Sequence, residues 1–410
     1  MSSSKHPVGI LGCGAMGAGI AQVAATHGFT VLLLDVSEAL VRNAIDGVGK
    51  RLDRLVSKEL LTKKQRNEAF ARLKVATKPE DLRECDLVIE AIVEDLDAKA
   101  KALGALVPHL PKDAVIATNT SSLSITKIGE AIDQPQRTVG LHFFNPAPLM
   151  PLVEVIAGAK SDANSIRRAT LIAESWGKTV VRAADVPGFI VNRVARPYYL
   201  EAFRILEDQL ATADEIDKAM RDLGQFRMGP LELTDMIGHD VNSATTQSVW
   251  EQLGKPARLA PSRAQQQLVK DGHLGLKTKR GVYDHEIEPP KAMIEISRKP
   301  LPADGKLHAA VDEFVSRATD QVGTNIEKYV FARILVAIIN EAAWALSQHV
   351  ATASDINTAL KLGTNYPKGP LEWAEEIGYG ACGALLDALN ATLGGADNRF
   401  EAAEILKTRV

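Results

Sequence analysis

Two residues of complementary chemistry lie near the middle of the chain. His142 stands in Leu141-His142-Phe143-Phe144-Asn145-Pro146, an aromatic segment stopped by proline. Glu154 is the lone carboxylate of an apolar, strand-like run, Leu152-Val153-Glu154-Val155-Ile156. An imidazole held by a buried carboxylate can accept a proton near neutral pH. The N-terminal segment supplies the other half of such a reaction. There Gly12-Cys13-Gly14-Ala15-Met16-Gly17 follows the apolar run Val8-Gly9-Ile10-Leu11, the pattern of a loop that binds a hydride-accepting dinucleotide. A group that removes a proton and a cofactor that removes a hydride read together as a dehydrogenase acting on an alcohol. The plainer reading of the pair is a core histidine beside an unrelated surface glutamate.

The loop has a division of labour. Gly12 permits the tight turn, Gly14 lets backbone approach a pyrophosphate, and Gly17 lets helix pack closely on strand. Ala15 and Met16 open toward a helix over Ala18 to His27, with Ile20, Val23 and Ala24 at helical spacing. The N–H groups at that helix start suit phosphate. Thr30 to Leu34 reads as a second strand ending at Asp35. An acid about 20 residues after the loop receives the ribose hydroxyls and repels a 2′-phosphate, which favours NAD over NADP. The glycine pattern alone is weak evidence, but strand, loop, helix, strand and acid agree. Lys5 before an apolar stretch mimics a signal peptide; the glycines and the matching second strand argue against that.

Elements must hold these residues in place. Alternating strands and helices to about Ala184 predict a mostly parallel, doubly wound α/β sheet of Rossmann type. Asp86 to Ile92, Ala114 to Thr118, Thr138 to Phe144, Leu152 to Ala157 and Thr179 to Arg182 are its further strands. From Pro187 onward the pattern is helical. A long helix is expected over Ile190 to Leu206, then one over Thr212 to Leu223 with Thr212 and Glu215 forming a capping box. Pro289, Pro290, Pro300 and Pro302 mark a linker. The expected division is 1–185, 186–285, a linker and lead-in helix over 286–320, and 321–410.

The last block repeats the one before it. Met228-Gly229-Pro230-Leu231-Glu232 recurs as Lys368-Gly369-Pro370-Leu371-Glu372. At the same offset Arg193 matches Arg333, Glu201 matches Glu341 and Ile216 matches Ile356. This reads as an internal duplication of an all-α domain. Asn192 is replaced by Ala332, so the second copy has lost a polar contact and reads as structural, a built-in partner for the first.

These segments resemble the 3-hydroxyacyl-CoA dehydrogenases over essentially the whole chain. The resemblance rests on the N-terminal loop, Val88 to Glu94, Thr118 to Leu123, Leu141 to Pro146 and Pro187 to Arg193. The tandem helical domains look like the dehydrogenase part of fused β-oxidation enzymes, without a hydratase part. The resemblance implies NAD as cofactor and an acyl-CoA substrate, (S)-3-hydroxyacyl-CoA being oxidised reversibly to 3-ketoacyl-CoA in fatty-acid or butanoate metabolism. It implies that His142 is the base and that Glu154 orients it, as an aspartate orients histidine in a Ser-His-Asp triad. Ser121 and Asn192 match residues near the reacting centre, although serine is a common helix N-cap and Asn192 also suits a helix start. Asn145 matches a residue on the nicotinamide side or begins the turn before Pro146. Glu94 and Lys99 match ribose-side cofactor contacts; by themselves they read as first-turn and exposed helix charges. Lys58 aligns with a coenzyme A phosphate contact, within a basic stretch of Lys50, Arg51 and Arg54. Arg51 matches such a contact only in position, and a charge run also suits a solvated face.

Composition limits the alternatives. A formal charge of −3 over 410 residues argues against a general nucleic-acid binder. Cys13, Cys85 and Cys382 form no metal spacing and suggest a reducing, cytoplasmic setting. The apolar stretch Tyr329 to Leu346 contains Arg333, Asn340 and Glu341, so it reads as a buried helix and not a membrane span. A monomer completed by its repeat, or a homodimer, is expected. Two other readings stay open: a sugar-acid dehydrogenase of the same superfamily, and a non-catalytic NAD-binding protein.

Overall fold

The computed structural model describes residues 6–394 and 398–408. The chain falls into two compact units, Met1–Phe189 and Ile190–Val410.

In the first unit the order is β1 (Val8–Leu11), α1 (Ala15–Thr26), β2 (Val31–Leu34), α2 (Glu38–Ser57), α3 (Lys63–Ala71), β3 (Leu73–Val75), β4 (Leu87–Glu90), α4 (Leu96–Leu106), β5 (Val115–Thr118), α5 (Ile125–Ala131), β6 (Thr138–Phe143), β7 (Leu152–Ala157), α6 (Ala163–Ser175) and β8 (Thr179–Ala184). The strands are near-continuous aliphatic runs because helices cover both faces of the sheet. Strand order is β3-β2-β1-β4-β5-β6-β7-β8. The chain therefore winds one way from β1 and then the other, and β1 lies beside β4 at the switch point, where the crevice beyond the strand ends takes ligands. Strand β3 was not expected from the sequence; it has three residues and an exposed Lys74, too short to show alternation. One pair, β6 with β7, is antiparallel, and its register sets His142 opposite Glu154.

The second unit contains α7 (Val191–Val194), α8 (Arg196–Glu207), α9 (Ala213–Asp222), α10 (Pro230–Ile237), α11 (His239–Gln252), α12 (Arg263–Lys270), the short pair β9 (Tyr283–Asp284) and β10 (Lys291–Ala292), then α13 (Gly305–Ala318), α14 (Asn325–Ser347), α15 (Ala353–Thr364), α16 (Pro370–Ile377), α17 (Tyr379–Leu393) and α18 (Glu404–Thr408). The single helix expected from Ile190 is broken at Ala195. Pro197 has no N–H to continue the ladder and begins a new helix instead. Its counterpart α14 has no proline and runs uninterrupted for 23 residues. The expected capping box forms: Thr212 N donates to Glu215 Oε2 at 2.9 Å, and Glu215 N to Thr212 Oγ1 at 3.3 Å. Helix α14 is long and apolar enough for a membrane span, but most of its apolar stretch is buried within the protein.

The two copies meet by a crosswise exchange. Arg193 Nε lies 2.7 Å from Glu341 Oε1, and Arg333 Nε 2.8 Å from Glu201 Oε2. Each partner of one pair is the repeat equivalent of a partner in the other. Phe226 and its equivalent Tyr366 meet edge to face at 4.9 Å between ring centres. Residue i meeting j′ while j meets i′ is the arrangement of a two-fold dimer interface, here built within one chain.

Candidate active site

The strand-to-helix turn after β1 is shaped by close approach. Gly12 has φ +96°, and a Cβ there would lie 2.6 Å from Ala91 O. A Cβ on Gly17 would lie 1.8 Å from Gly12 O, whereas one on Gly14 would meet nothing within 4 Å. Gly14 thus borders open space at the mouth of α1. That helix start carries no side-chain cap and no acid in its first turn, so the N–H groups of Ala15 and Met16 suit a pyrophosphate. Asp35 stands at the end of β2, where its oxygens accept from Cys13 N at 2.6 Å and Val36 N at 2.7 Å. Two backbone donors fix the carboxylate and leave lone pairs for hydroxyl donors. Gly14, Asp35, Val36, Ile92 and Lys101 line a cavity of about 830 Å³ at the switch point. These residues fit an NAD molecule.

Beneath this groove lies a buried charge network. Lys99 is only 1% exposed, so it is not the exposed helix charge that its sequence context suggests. Its Nζ is 2.6 Å from Glu90 Oε1 and 3.3 Å from Glu94 Oε2. Glu90 also accepts from Thr118 Oγ1 and Ile92 N, both at 2.6 Å. Lys101, two residues on, is the lysine that lines the groove. Glu94 gathers the loop after β5: Thr120 Oγ1 donates to it at 2.6 Å, Ser121 N at 2.9 Å and Ser122 N at 3.0 Å. Burial works to raise its pKa; the Thr120 hydroxyl, Lys99 and the serine donors outweigh burial and hold it below the usual carboxylate value. Ser121 is not a helix cap. Ser124 caps α5, accepting from Lys127 N at 3.3 Å, and Asp185 accepts from Ile125 N at 2.9 Å and Thr126 N at 2.8 Å.

His142 and Glu154 are joined across β6 and β7, with Nδ1 2.6 Å from Glu154 Oε2. Glu154 is fully buried and His142 is 6% exposed. An ionised carboxylate only accepts, so beside one Nδ1 carries the hydrogen, and in the neutral ring Nε2 is then the nitrogen with the free lone pair. The ring packs on Phe144 at 4.6 Å and Phe189 at 5.8 Å between centres. Phe189 holds φ +46°, a strained value for a bulky side chain. The arrangement can take a proton at Nε2 and stabilise the resulting imidazolium through Glu154.

Asn145, Arg51, Arg54, Lys58, Ala15 and Leu149 line a second cavity of about 380 Å³ in the same unit. Arg51 is committed to α1, donating to Gln22 Oε1 at 2.7 Å and Ala18 O at 3.3 Å. Arg54 and Lys58 are exposed on α2 and its C-cap. Lys178, which sequence reasoning missed, shapes this wall. Its buried ammonium donates to Ala147 O at 2.6 Å and Met150 O at 2.7 Å, holding the turn that carries Asn145. Asn119, also missed, accepts from Phe143 N at 2.8 Å and ties the end of β5 to the strand of His142. A lysine and an asparagine bonded to backbone leave no pattern in sequence spacing. Asn192 belongs to the second unit, on α7, and is partly buried. All three cysteines are buried, and burial pushes Cys13 up to about 12, which makes it unreactive. Among the described residues no group of three metal-ligating side chains occurs.

Comparison with known proteins adds the family. Residues 7–186 match the 3-hydroxyacyl-CoA dehydrogenase NAD-binding domain, and residues 188–285 and 329–410 match the 3-hydroxyacyl-CoA dehydrogenase C-terminal domain twice over. The 3-hydroxyadipyl-CoA dehydrogenase of Escherichia coli K12 is 38% identical over 468 aligned residues, covering 100% of this chain and 98% of that protein. The 3-hydroxybutyryl-CoA dehydrogenase of Bradyrhizobium diazoefficiens is 40% identical over 285 residues, covering 70% of this chain and 97% of its own. The crystal structure of a 3-hydroxybutyryl-CoA dehydrogenase from Escherichia coli K12 superposes with a TM-score of 0.87 at 37% identity, covering 98% of this chain and 97% of that one. A dinucleotide groove, a duplicated helical domain and matches spanning the whole chain lead to one conclusion: the chain belongs to the 3-hydroxyacyl-CoA dehydrogenases, a family of NAD-dependent oxidoreductases.

Proposed function

We propose that the chain oxidises (S)-3-hydroxyacyl-CoA thioesters to 3-ketoacyl-CoA, with the His142–Glu154 pair as proton acceptor. The observation that carries this reading is the 2.6 Å contact between His142 Nδ1 and Glu154 Oε2, with the carboxylate fully buried. Bound NAD supplies the acceptor for the hydride of C3. His142 Nε2 takes the proton of the 3-hydroxyl, and Glu154 balances the charge that develops on the ring. In the reverse direction the imidazolium returns the proton to the 3-oxygen. Gly14, Ala15, Met16 and Asp35 would hold the cofactor's phosphates and ribose. Lys99 acts through Glu94, which steadies the Ser121 backbone, and Asn145 faces the nicotinamide side. Ser121 and Asn192 are assigned to hydrogen bonds at the reacting end, and Lys58 to a coenzyme A phosphate. The names of the relatives favour a thioester over a sugar acid. The second helical copy supplies packing surface in place of a dimer partner, so the chain is read as a monomer, or as a homodimer through another face. Buried thiols suit a cytoplasmic setting.

NADH oxidation with acetoacetyl-CoA and with longer 3-ketoacyl-CoA thioesters tests the reading directly. Turnover is expected with these substrates, and NADH should outperform NADPH in kcat/KM because Asp35 repels a 2′-phosphate. His142→Gln should lower kcat by about 10²–10⁴-fold with NADH affinity retained. Full activity of that variant removes His142 from the mechanism.

A further inference from the structure

The buried arginines of the second unit differ in one respect. Arg193, Arg204 and Arg333 each meet a carboxylate: Glu341 at 2.7 Å, Glu201 at 2.5 Å and Glu201 at 2.8 Å. Arg196 is 5% exposed, and among the described residues no carboxylate pairs with it. Its Nη1 donates to Asn242 O and Thr246 Oγ1, both at 3.3 Å. Its guanidinium lies 5.0 Å from the centre of the Tyr199 ring. Its Nε has no partner. Burying an arginine without a counter-charge is costly, because it cannot shed its proton to become neutral. The repeat does not require the charge: at the equivalent position stands Val336, which is fully buried.

The position of Arg196 suggests the missing anion. It follows Asn192 by four residues, and Ala195 at the α7–α8 junction keeps a right-handed helical backbone, φ −78° and ψ −11°, so the two backbone positions lie about one turn apart, ~5–6 Å. In a six-carbon 3-hydroxy dicarboxylyl thioester, three carbon–carbon bonds separate C3 from the terminal carboxyl carbon, a span of about 4 Å. A substrate whose C3 hydroxyl end is held by Asn192 would bring a distal carboxylate to the guanidinium one turn on. We propose that Arg196 is the specificity-determining residue of this enzyme and receives the distal carboxylate of an ω-carboxylated 3-hydroxyacyl-CoA. The proposal rests on the assignment of Asn192 to the reacting end. A guanidinium edge matches a carboxylate in geometry as well as charge. A site built around a buried charge discriminates strongly against a ligand that leaves it unpaired.

The test compares two thioesters of equal carbon count, 3-hydroxyadipyl-CoA and 3-hydroxyhexanoyl-CoA, which end in a carboxylate and a methyl group. The wild-type chain should favour the former by at least about tenfold in kcat/KM. Arg196→Met should bring that ratio close to one, and Arg196→Lys should leave it between the two. A ratio of specificities does not depend on the fraction of enzyme that folds. A wild-type ratio near one overturns the proposal whatever the variants do, as does an Arg196→Met enzyme that keeps the wild-type ratio. Turnover of both thioesters at equal rates leaves the 3-hydroxyacyl-CoA reading standing without Arg196. Turnover of neither overturns both.

Discussion

The two helical copies share a scaffold and differ in the side chains set upon it. Arg193 and Arg333, Glu201 and Glu341, Phe226 and Tyr366 occupy equivalent places and hold the copies together. The helix starts at Gly229 and Gly369 are built alike, each backbone N–H donating to a glutamate three residues on, Glu232 at 3.2 Å and Glu372 at 2.8 Å. Away from the shared interface the copies part. Asn192 and Arg196 correspond to Ala332 and Val336, both fully buried and apolar. Asp235 in the first copy accepts from His239 at 2.6 Å, His285 at 2.7 Å and the backbone of Val282 at 2.8 Å. Its counterpart Glu375 is exposed. The equivalent positions that agree between the copies hold them together, whereas Asn192 and Arg196 have apolar equivalents.

The largest effects should come from the shared interface. Glu341→Ala and Glu201→Ala each strand at least one buried arginine and should each cost about 3–5 kcal/mol in urea unfolding. A large loss in one and none in the other would break the two-fold equivalence.

Acid should act on the same pairs. Burial works to raise the Glu201 carboxyl, but Arg204, Arg333 and Arg399 overcome it and lower its pKa to about 2. A folded pKa below the unfolded one contributes stability that is complete above about pH 4.5 and is lost as pH falls toward 2, about 3 kcal/mol in all. Glu201→Gln should start less stable and show a shallower fall in Tm over that window. An unchanged slope would place the acid sensitivity elsewhere.

The contrast between the copies can be sharpened by exchanging side chains. Asn192→Ala should lower kcat by about 10–100-fold, the scale of one lost hydrogen bond to a reacting group. Ala332→Asn should leave kcat unchanged while costing about 1–3 kcal/mol of stability, because it buries an unpaired amide. A gain or loss of turnover from Ala332→Asn would show that the second copy takes part in the chemistry.

Much of this was legible in the sequence, for reasons that differ by residue. The loop at Gly12, Gly14 and Gly17 and the acid at Asp35 were readable because local backbone requirements leave local marks. The doubly wound sheet followed from aliphatic runs long enough to be buried on both faces. The repeat offset revealed the equivalence of Arg193 with Arg333 and of Glu201 with Glu341, but not their crosswise pairing, which depends on how the helices pack. The contact of His142 with Glu154 rests on antiparallel register, and their separation of 12 residues is equally compatible with strands that never meet. Lys99 looked like a surface charge because nothing near it in sequence announces that Glu90 and Glu94 enclose it. Lys178 and Asn119 bond mainly to carbonyls and amides, so no complementary side chain pointed to them. Pro197 could have marked the break in the expected helix, since a proline in helix interior is a known stop.

The crosswise arginine–glutamate exchange also bears on how the chain reaches its fold. Arg193 and Glu341 are 148 residues apart, and Arg333 and Glu201 are 132 apart. Contacts of that sequence separation come after a large loop has been closed, whereas the turns and helix caps of each copy need only their immediate neighbours. The helices of both copies should therefore gather first, each half carrying its arginine and glutamate still in water. Desolvation of all four charges is then deferred to one late docking step. While only the first copy has been synthesised, Arg193 and Glu201 lack their partners in the second, so synthesis of the C-terminal half is the event that lets this interface close.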